Sequence, residues 1–220
     1  MSDPAYPHID AHIDALAAEL RERLATTPRI VLGIVGAPGS GKSTFALRLR
    51  AAFGDQEAAI VPMDGFHLAQ SVIAGTPLAQ RRGAPDTFDV EGYLTLLRRL
   101  RARDERVVYA PSYRRGLEEP IAASVAVSRD VRLVITEGNY LLAELVGWRE
   151  VRDLLDDAWF VDIPDTLRVS QLIRRHIAFG MTVDAATAWA NGPDARNAQL
   201  VASSRHRASR VISVMPMTDS

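Results

Sequence analysis

The 220-residue chain contains no cysteine. This absence excludes a disulfide framework, a cysteine-ligated metal and a thiol nucleophile. An excess of one charge is also lacking, because the formal net charge is −1, and aromatic residues make up only 6% of the chain. Nucleic-acid binders usually carry a basic excess with aromatic residues among the basic ones, so we expect no nucleic-acid partner.

Long apolar runs are missing as well. No run is long enough to cross a membrane, and the start of the chain lacks the charged-then-apolar layout of a signal peptide. We therefore expect a soluble, cytoplasmic protein without a membrane partner. The remaining composition, 47% hydrophobic and 24% charged residues, is that of an ordinary globular domain.

A glycine-rich loop is the most informative feature that is present. It matches the phosphate-loop pattern G-x-x-x-x-G-K-[ST] and consists of Gly36, Ala37, Pro38, Gly39, Ser40, Gly41, Lys42, Ser43 and Thr44. Its glycines allow positive φ angles, so that successive N–H groups turn toward phosphate oxygens. Lys42 would reach the β- and γ-phosphates, and the Ser43 hydroxyl would ligate Mg²⁺. Thr44 would open a helix whose N-terminal end attracts the same anion.

The flanking residues decide whether this loop is a chance turn. Residues 29–35 form a nearly continuous apolar run, which is typical of a buried parallel strand, and residues 45–53 have helical composition and end at Gly54. Strand, glycine loop and helix in this order are the context that the motif requires. The sequence therefore predicts a site for a nucleoside triphosphate, ATP with Mg²⁺.

The rest of the chain alternates strands with helices. Apolar residues at helical spacing, from Ile9 to Leu24, predict an amphipathic helix within residues 1–28 that covers one edge of the core. Residues 29–220 are expected to form one domain, with strands at 58–63, 131–136, 157–162 and 210–214. This alternation predicts an α/β fold of three layers with a mainly parallel sheet.

The middle of the chain is less regular. Residues 75–89 form a long polar stretch, which favours a binding loop over a mere connector, and residues 90–103 have a helical pattern. Residues 107–109 suggest a short strand. Residues 121–127 alternate weakly, as in an antiparallel edge strand, and such an edge could pair two subunits into a homodimer.

Two carboxylates stand where predicted strands end. Asp64 follows the strand at 58–63, and Glu137 follows the strand at 131–136. In a parallel sheet, such ends converge on the crevice that holds the ligand. Asp64 could receive the proton of an attacking hydroxyl, and Glu137 could hold Mg²⁺ directly or through water. The alternatives are a helix cap or turn residue for Asp64 and an ordinary strand-terminating charge for Glu137.

An arginine-rich helical segment follows the last of these strands. It runs from residue 166 to about residue 209, with breaks near Gly180 and at residues 191–193. Its basic residues near the start are Arg168, Arg174, Arg175 and His176. They could close over ATP as a lid of about residues 166–197 and stabilise charge on the γ-phosphate, or they could form a solvated basic face.

Several motifs occur in one order between about residues 29 and 214. They are the phosphate loop, the segments 63–67, 84–89, 111–115 and 135–140, and the helix from Arg168 to Arg175. This ordered set resembles the phosphoribulokinase, uridine kinase and bacterial pantothenate kinase family of P-loop kinases. The likeness is greatest to the nucleoside/nucleotide kinase family or sugar-transport-associated (fructose transport system) kinase-like proteins.

The resemblance implies a role for several residues. Asp64 would be the base that acts on the acceptor hydroxyl, and Glu137 would be the acidic residue of the metal site. The residues that face the acceptor would be Asp86, Phe88, Tyr113 and Arg115.

The lid matches the family pattern only in part. Arg168 and Arg175 match it, whereas Val169 and Gln171 depart from it. Either Arg174 or Arg175 could therefore be the arginine that reaches the phosphates.

Two further features leave alternatives open. His67 stands where uridine kinases tend to carry tyrosine, so the resemblance does not favour uridine as acceptor. Its ring could donate to a hydroxyl of a sugar or pantothenate-like acceptor, or it could cap the following helix. Residues 189–197 could contact nucleotide or substrate, or they could form a structural turn.

The sequence as a whole predicts an ATP-dependent kinase that transfers the γ-phosphoryl group to a hydroxyl of a small acceptor: a sugar, a nucleoside or a pantothenate-like molecule. The competing interpretation is a nucleotide-dependent ATPase or switch without a metabolite acceptor. The polar stretch 75–115 favours the kinase, because it has the character of an acceptor pocket and not of a protein-docking surface.

Overall fold

The computed structural model describes the backbone of residues 7–213 and the side chains of residues 12–213. The side chain of Ile9 and the end of the last predicted strand, Val214, lie outside this part. The helices are α1 Pro7–Thr26, α2 Lys42–Phe53, α3 Gln70–Ile73, α4 Val90–Ala102, α5 Asp165–Ala178, α6 Val183–Asn191 and α7 Pro193–Ser203. The strands are β1 Ile30–Val35, β2 Ala58–Pro62, β3 Val107–Arg114, β4 Glu119–Ser128, β5 Leu133–Gly138, β6 Asp157–Asp162 and β7 Arg210–Ser213.

A five-stranded sheet in the order β2-β5-β1-β6-β7 organises the domain. Every neighbouring pair in this sheet is parallel, which confirms the predicted sheet and fold class. In its register, Val35 of β1 pairs with Gly138 of β5, and Pro62 of β2 pairs with Glu137. The carboxyl ends of β1, β5 and β2 therefore lie side by side, and the segments that follow them share one edge of the sheet.

Helices cover both faces of this sheet. On one face, α1 and α2 bury Leu20, Phe45 and Leu49 against strand residues such as Trp159. On the other face, α4 and the 3₁₀ segment Trp148–Leu154 pack against the sheet. All six residues of β5 are buried, as expected for a central parallel strand, and the sheet forms the middle of three layers.

The antiparallel prediction is confirmed, but the strand is placed differently. β4 pairs with β3 in a two-stranded sheet of its own and not at the edge of the main sheet. β3 is also longer than the predicted residues 107–109, because pairing across the hairpin extends it to Arg114. Pairing of this hairpin between two subunits stays a prediction.

The predicted lid is helical, with breaks at the expected places. α5 ends at Ala178 before Gly180, and Gly192 separates α6 from α7. The first half of α5 packs directly on the phosphate loop, where a Cβ atom on Gly39 would lie 2.8 Å from the carbonyl oxygen of Arg168 and 2.7 Å from Cγ of Leu172. Within residues 7–213, no helix is long and apolar enough to cross a bilayer.

Candidate active site

The phosphate loop connects β1 to α2. Gly39 and Gly41 both have a φ of 83°, a conformation that glycine adopts without strain. Helix α2 begins at Lys42, so its positive N-terminal end faces the loop. Burial lowers the pKa of the Lys42 ammonium group, and the nearby carboxylates of Glu137 and Asp64 oppose this effect. The loop thus combines glycines in the left-handed conformation with a desolvated cation at the start of a helix.

Glu137 lies near the end of β5, beside the start of α2. Its side chain is buried, and Ser43 is hydrogen-bonded to its carboxylate. Burial raises the pKa of this carboxyl group, while the Lys42 ammonium lowers it. Hydroxyl and carboxylate oxygens are ligands that Mg²⁺ accepts, usually with phosphate oxygens and water completing the shell. The pair fits such an ion, although no group of three or more His, Asp or Glu suited to a metal occurs in the described part of the chain.

Asp64 belongs to a 3₁₀ turn, Met63–Phe66, that follows β2. Because β2 neighbours β5, this turn brings Asp64 close enough to Lys42 and Glu137 to influence the pKa of both. On its other side, Oδ2 of Asp64 lies 3.4 Å from Nη2 of Arg115, at the tip of the β3–β4 hairpin. Asp64 therefore lies between the phosphate loop and the hairpin.

His67 closes the same turn. Its Nδ1 lies 2.8 Å from the carbonyl oxygen of Asp64, and because a carbonyl only accepts, Nδ1 carries the proton of this bond. Burial lowers the pKa of the ring, which favours the neutral form. Nε2 is then an acceptor and not the donor that the sequence suggested. The ring also caps the turn before it and not the helix after it, and it packs 4.1 Å from Phe88 and 4.7 Å from Tyr113 between ring centroids.

Core aromatic residues hold the loop of residues 75–89 in place. The Tyr140 hydroxyl donates to the carbonyl of Gly83 at 2.6 Å, and Trp148 Nε1 donates to the carbonyl of Pro85 at 3.2 Å. Phe88 is buried beside both rings and lines the cavity next to Asp64. Asp86 is placed differently from the sequence expectation, because its half-exposed carboxylate pairs with Arg81 and does not line this cavity.

Tyr113 lies between two arginines on the hairpin side of the cavity. The guanidinium carbon of Arg82 is 5.6 Å from the centroid of the Tyr113 ring, and that of Arg115 is 6.0 Å from it. The Tyr113 hydroxyl donates to Oε2 of Glu118 at 2.8 Å. Both Tyr113 and Arg115, which the resemblance singled out, therefore face the cavity beside Asp64.

The lid contributes the opposite wall. Arg175 lines the cavity, whereas Arg174 is exposed and does not line it. Burial and the neighbouring Arg115 lower the pKa of Arg175. His176 Nε2 lies 2.7 Å from Oδ2 of Asp194, so this pair joins α5 to α7 across the wall.

These walls line an open cavity of about 380 Å³, which we call the acceptor cavity. Several of its polar residues were given no role of their own by the sequence. They are Arg82, Asn139, Asp194 and Asn197. Asn139 directly follows β5, so the strand-end rule that found Glu137 could have found it. The two residues of α7 lie within residues 189–197, and only the folded lid shows which cavity this segment faces.

A second cavity, also of about 380 Å³, lies between the end of β6 and α7, and we call it the loop-side cavity. Ala37 and Ser40 of the phosphate loop line it, and the Ser40 hydroxyl oxygen is buried without a hydrogen-bond partner in the described part of the chain. Arg168 lines it too, and its guanidinium donates to the carbonyl of Pro38 at 3.3 Å and to Asp165 at 2.8 Å. Arg168 thus anchors the lid to the loop.

Comparison with known proteins agrees with this architecture. Residues 31–220 match the model of the Phosphoribulokinase / Uridine kinase family. The chain belongs to this family. Several relatives of the chain are named as kinases, some of them as ATP-dependent kinases, which supports a phosphotransferase of the P-loop kinase type.

Three relatives illustrate the match. The "Putative uridine kinase C227.14" of Schizosaccharomyces pombe is 32% identical over 176 residues, which cover 76% of this chain and 75% of that protein. The Escherichia coli protein "Uncharacterized protein YggC" is 32% identical over 188 residues, covering 84% and 77%. The crystal structure of a "putative fructose transport system kinase" from Silicibacter sp. TM1040 superposes with a TM-score of 0.83, at 36% identity, over 91% of this chain and 98% of that chain.

Proposed function

We propose that this protein transfers the γ-phosphoryl group of ATP to a hydroxyl of a small acceptor, a sugar, a nucleoside or a pantothenate-like molecule. The observation that carries this proposal is the position of Asp64. It lines the acceptor cavity and lies close enough to Lys42 and Glu137 to influence their pKa values. A carboxylate between a triphosphate loop and a cavity that can receive a small molecule is what a hydroxyl acceptor requires.

The donor side would hold ATP with few side chains. Backbone N–H groups of the loop and the Lys42 ammonium bind the phosphates, and the loop-side cavity receives the nucleoside. Ser43 and Glu137 would hold Mg²⁺, which neutralises charge on the phosphate oxygens when it is bound. The Ser43–Glu137 hydrogen bond supports this pairing, because it brings the two oxygen ligands together.

The transfer itself needs one proton acceptor. The acceptor oxygen forms a bond to the γ-phosphorus while the bond from phosphorus to the β–γ bridging oxygen breaks, and ADP leaves. The hydroxyl proton goes to Asp64. Arg175, which faces the cavity from the lid, would stabilise the charge on the transferring group, and His67 Nε2 would accept a hydrogen bond from an acceptor hydroxyl. Because this enzyme would use ATP and contains no cysteine, we propose that it acts in the cytoplasm.

The decisive variant is Asp64→Asn, which keeps the shape of the side chain and removes the base. We expect ATP to bind with nearly unchanged affinity and kcat to fall on the order of 10²- to 10⁴-fold. Binding of a fluorescent ATP analogue and acceptor-dependent ADP release would be measured for both proteins. Asp130→Asn, at an exposed turn between β4 and β5, is the control.

Two results would contradict the proposal. If the Asp64→Asn variant kept full acceptor-dependent activity, Asp64 would not be the base. ATP turnover that no sugar, nucleoside or pantothenate-like acceptor changes would favour the ATPase or switch instead.

A further inference from the structure

Three Arg-Arg doublets border the acceptor cavity in the same way. They are Arg81-Arg82, Arg114-Arg115 and Arg174-Arg175. In each doublet, the second arginine lines the cavity and the first does not. The three inward arginines come from an irregular loop, a hairpin tip and a lid helix, which are far apart in sequence. Three separate segments thus bring a cation to one cavity of about 380 Å³.

The carboxylates of the cavity leave these cations incompletely paired. Glu118 is turned toward its own hairpin, because its two carboxylate oxygens accept from the Tyr113 hydroxyl and from the backbone N–H of Gly116. Asp194 is hydrogen-bonded to His176. Asp64 pairs with Arg115 at 3.4 Å, which is long for an ion pair between a guanidinium and a carboxylate.

Arg82 retains unused donors. Its Nη1 donates to the side-chain amide oxygen of Gln70, and its Nη2 donates to the carbonyl of Glu118. Its nearest carboxylate, that of Glu119, is 4.0 Å away. Its Nε is buried without a partner in the described residues. Because a guanidinium has five N–H donors in one plane, Arg82 is held in position and still has donors for a ligand.

This proposal rests on the kinase activity proposed above and specifies its substrate. We infer that the acceptor is a small hydroxylated anion, a carboxylate or a phosphate monoester, whose anionic group binds to Arg82 and Arg115. Arg175 remains for the γ-phosphoryl group, and Asn139 and Asn197 also line the cavity. Tyr113 holds the two guanidinium groups beside one aromatic ring.

The contact between Arg115 and Asp64 adds a geometric condition. Since Arg115 lies 3.4 Å from the base, an acceptor that reaches both carries its anionic group only a few bonds from the reacting hydroxyl. The anion also competes with Asp64 for Arg115, and this competition frees Asp64 to receive a proton. A neutral polyol would instead leave Arg115 with its long contact to Asp64 and Arg82 with its 4.0 Å contact to Glu119, and would add no charge-assisted hydrogen bond to either.

The test uses acceptor pairs that differ only in the anionic group. The pairs are glycerate with glycerol, pantothenate with panthenol, and fructose 6-phosphate with fructose. For each, we would measure acceptor-dependent ADP release, and separately the thermal stabilisation of the protein by the acceptor with a non-hydrolysable ATP analogue. A preference for glycerate or pantothenate would identify the anionic group as a carboxylate. A preference for fructose 6-phosphate would identify it as a phosphate monoester.

The variants Arg82→Gln and Arg115→Gln are compared with their doublet neighbours, Arg81→Gln and Arg114→Gln. We expect the wild-type protein to prefer the charged member of at least one pair. The inward variants should reduce this preference roughly 10- to 100-fold, the loss of one or two charge-assisted hydrogen bonds. The neighbours should stay within about twofold of the wild type. Because Arg115→Gln also removes the contact with Asp64, Arg82→Gln is the cleaner of the two inward variants.

This inference would be overturned if the neutral members supported ADP release as well as or better than the charged ones and Arg82→Gln left that ratio unchanged. The kinase proposal would then still stand. ATP hydrolysis that no pair changes, together with no stabilisation by any member, would contradict the kinase activity and this inference with it.

Discussion

The donor and acceptor sides of the site are built in different ways. The donor side consists of one continuous loop and the ends of adjacent parallel strands, and its two ionic side chains, Lys42 and Glu137, are 9% and 7% exposed. The acceptor side is assembled from a turn, an irregular loop, a hairpin tip and three lid helices. Its hairpin arginine, Arg115, has a side chain that is 42% exposed.

The charged groups of the donor side are therefore fixed in position, whereas those of the acceptor side can adapt to different ligands. Buried donor groups cannot move without disturbing the central strands, so their dipoles and charges are arranged before the ligand arrives. The acceptor groups are carried by loops and by a lid, which can change between relatives without altering the sheet. Substitutions on the donor side should therefore lower turnover for every acceptor, and those on the acceptor side should change which acceptor is used.

Glu137→Gln is the strongest test of the donor side. The variant keeps the size of the side chain and one hydrogen-bond acceptor but removes the charge that would hold Mg²⁺. We therefore expect kcat to fall on the order of 10²- to 10³-fold with every acceptor. Because burial raises the pKa of Glu137, the folded state bears a cost for its ionised form at neutral pH. The neutral amide relieves this cost but also removes a carboxylate that stabilises the buried Lys42 ammonium, so the melting temperatures of both proteins should be measured before their kcat values are compared.

The measurement is kcat over a range of Mg²⁺ concentrations, with Glu144→Gln, at an exposed position after β5, as the control. A loss that affects one acceptor and spares another would contradict the division between the two sides.

Arg175→Gln and Arg174→Gln test the lid, where the two sides meet. Arg175 faces the acceptor cavity and Arg174 faces solvent, so we expect roughly a 100-fold loss of kcat for the first and about a twofold change for the second. Steady-state kinetics with saturating ATP would show the difference. The reverse order would assign the γ-phosphate to Arg174 and would mean that the lid turns about its axis when it closes.

The same contrast explains what the sequence predicted and what it did not. The phosphate loop, the parallel sheet and the strand-end position of Glu137 follow from local patterns, because backbone geometry and strand burial depend on neighbours in the chain. The position of Asp86 and the inward turn of Arg82 depend on Tyr140 and Trp148, which hold their loop from more than fifty residues away. No local pattern contains that information, since adjacent arginines look alike until the loop is folded.

His67 provides the smallest and most specific test of the acceptor side. Burial lowers its pKa below the ordinary value, so the folded protein resists a proton that the unfolded chain accepts. As the pH falls through the unfolded value of about 6.5, stability is lost, and the loss ends near the lower pKa of the folded state. The His67→Asn variant keeps a donor near the position of Nδ1 and cannot titrate at this residue. Its free energy of unfolding should therefore decrease less than that of the wild type as the pH falls.

We would compare denaturant midpoints of the two proteins at about pH 7 and about pH 5. Equal losses would show that the ring is not protected from protonation, and Nε2 would then be a donor at acidic pH. A smaller loss in the variant would support a neutral ring that accepts a hydrogen bond from the acceptor. In that case, the acceptor's KM should be independent of pH above about 6.5. A neutral ring beside the guanidinium groups of Arg82 and Arg115 would let this side bind a hydroxyl and an anion in one small cavity.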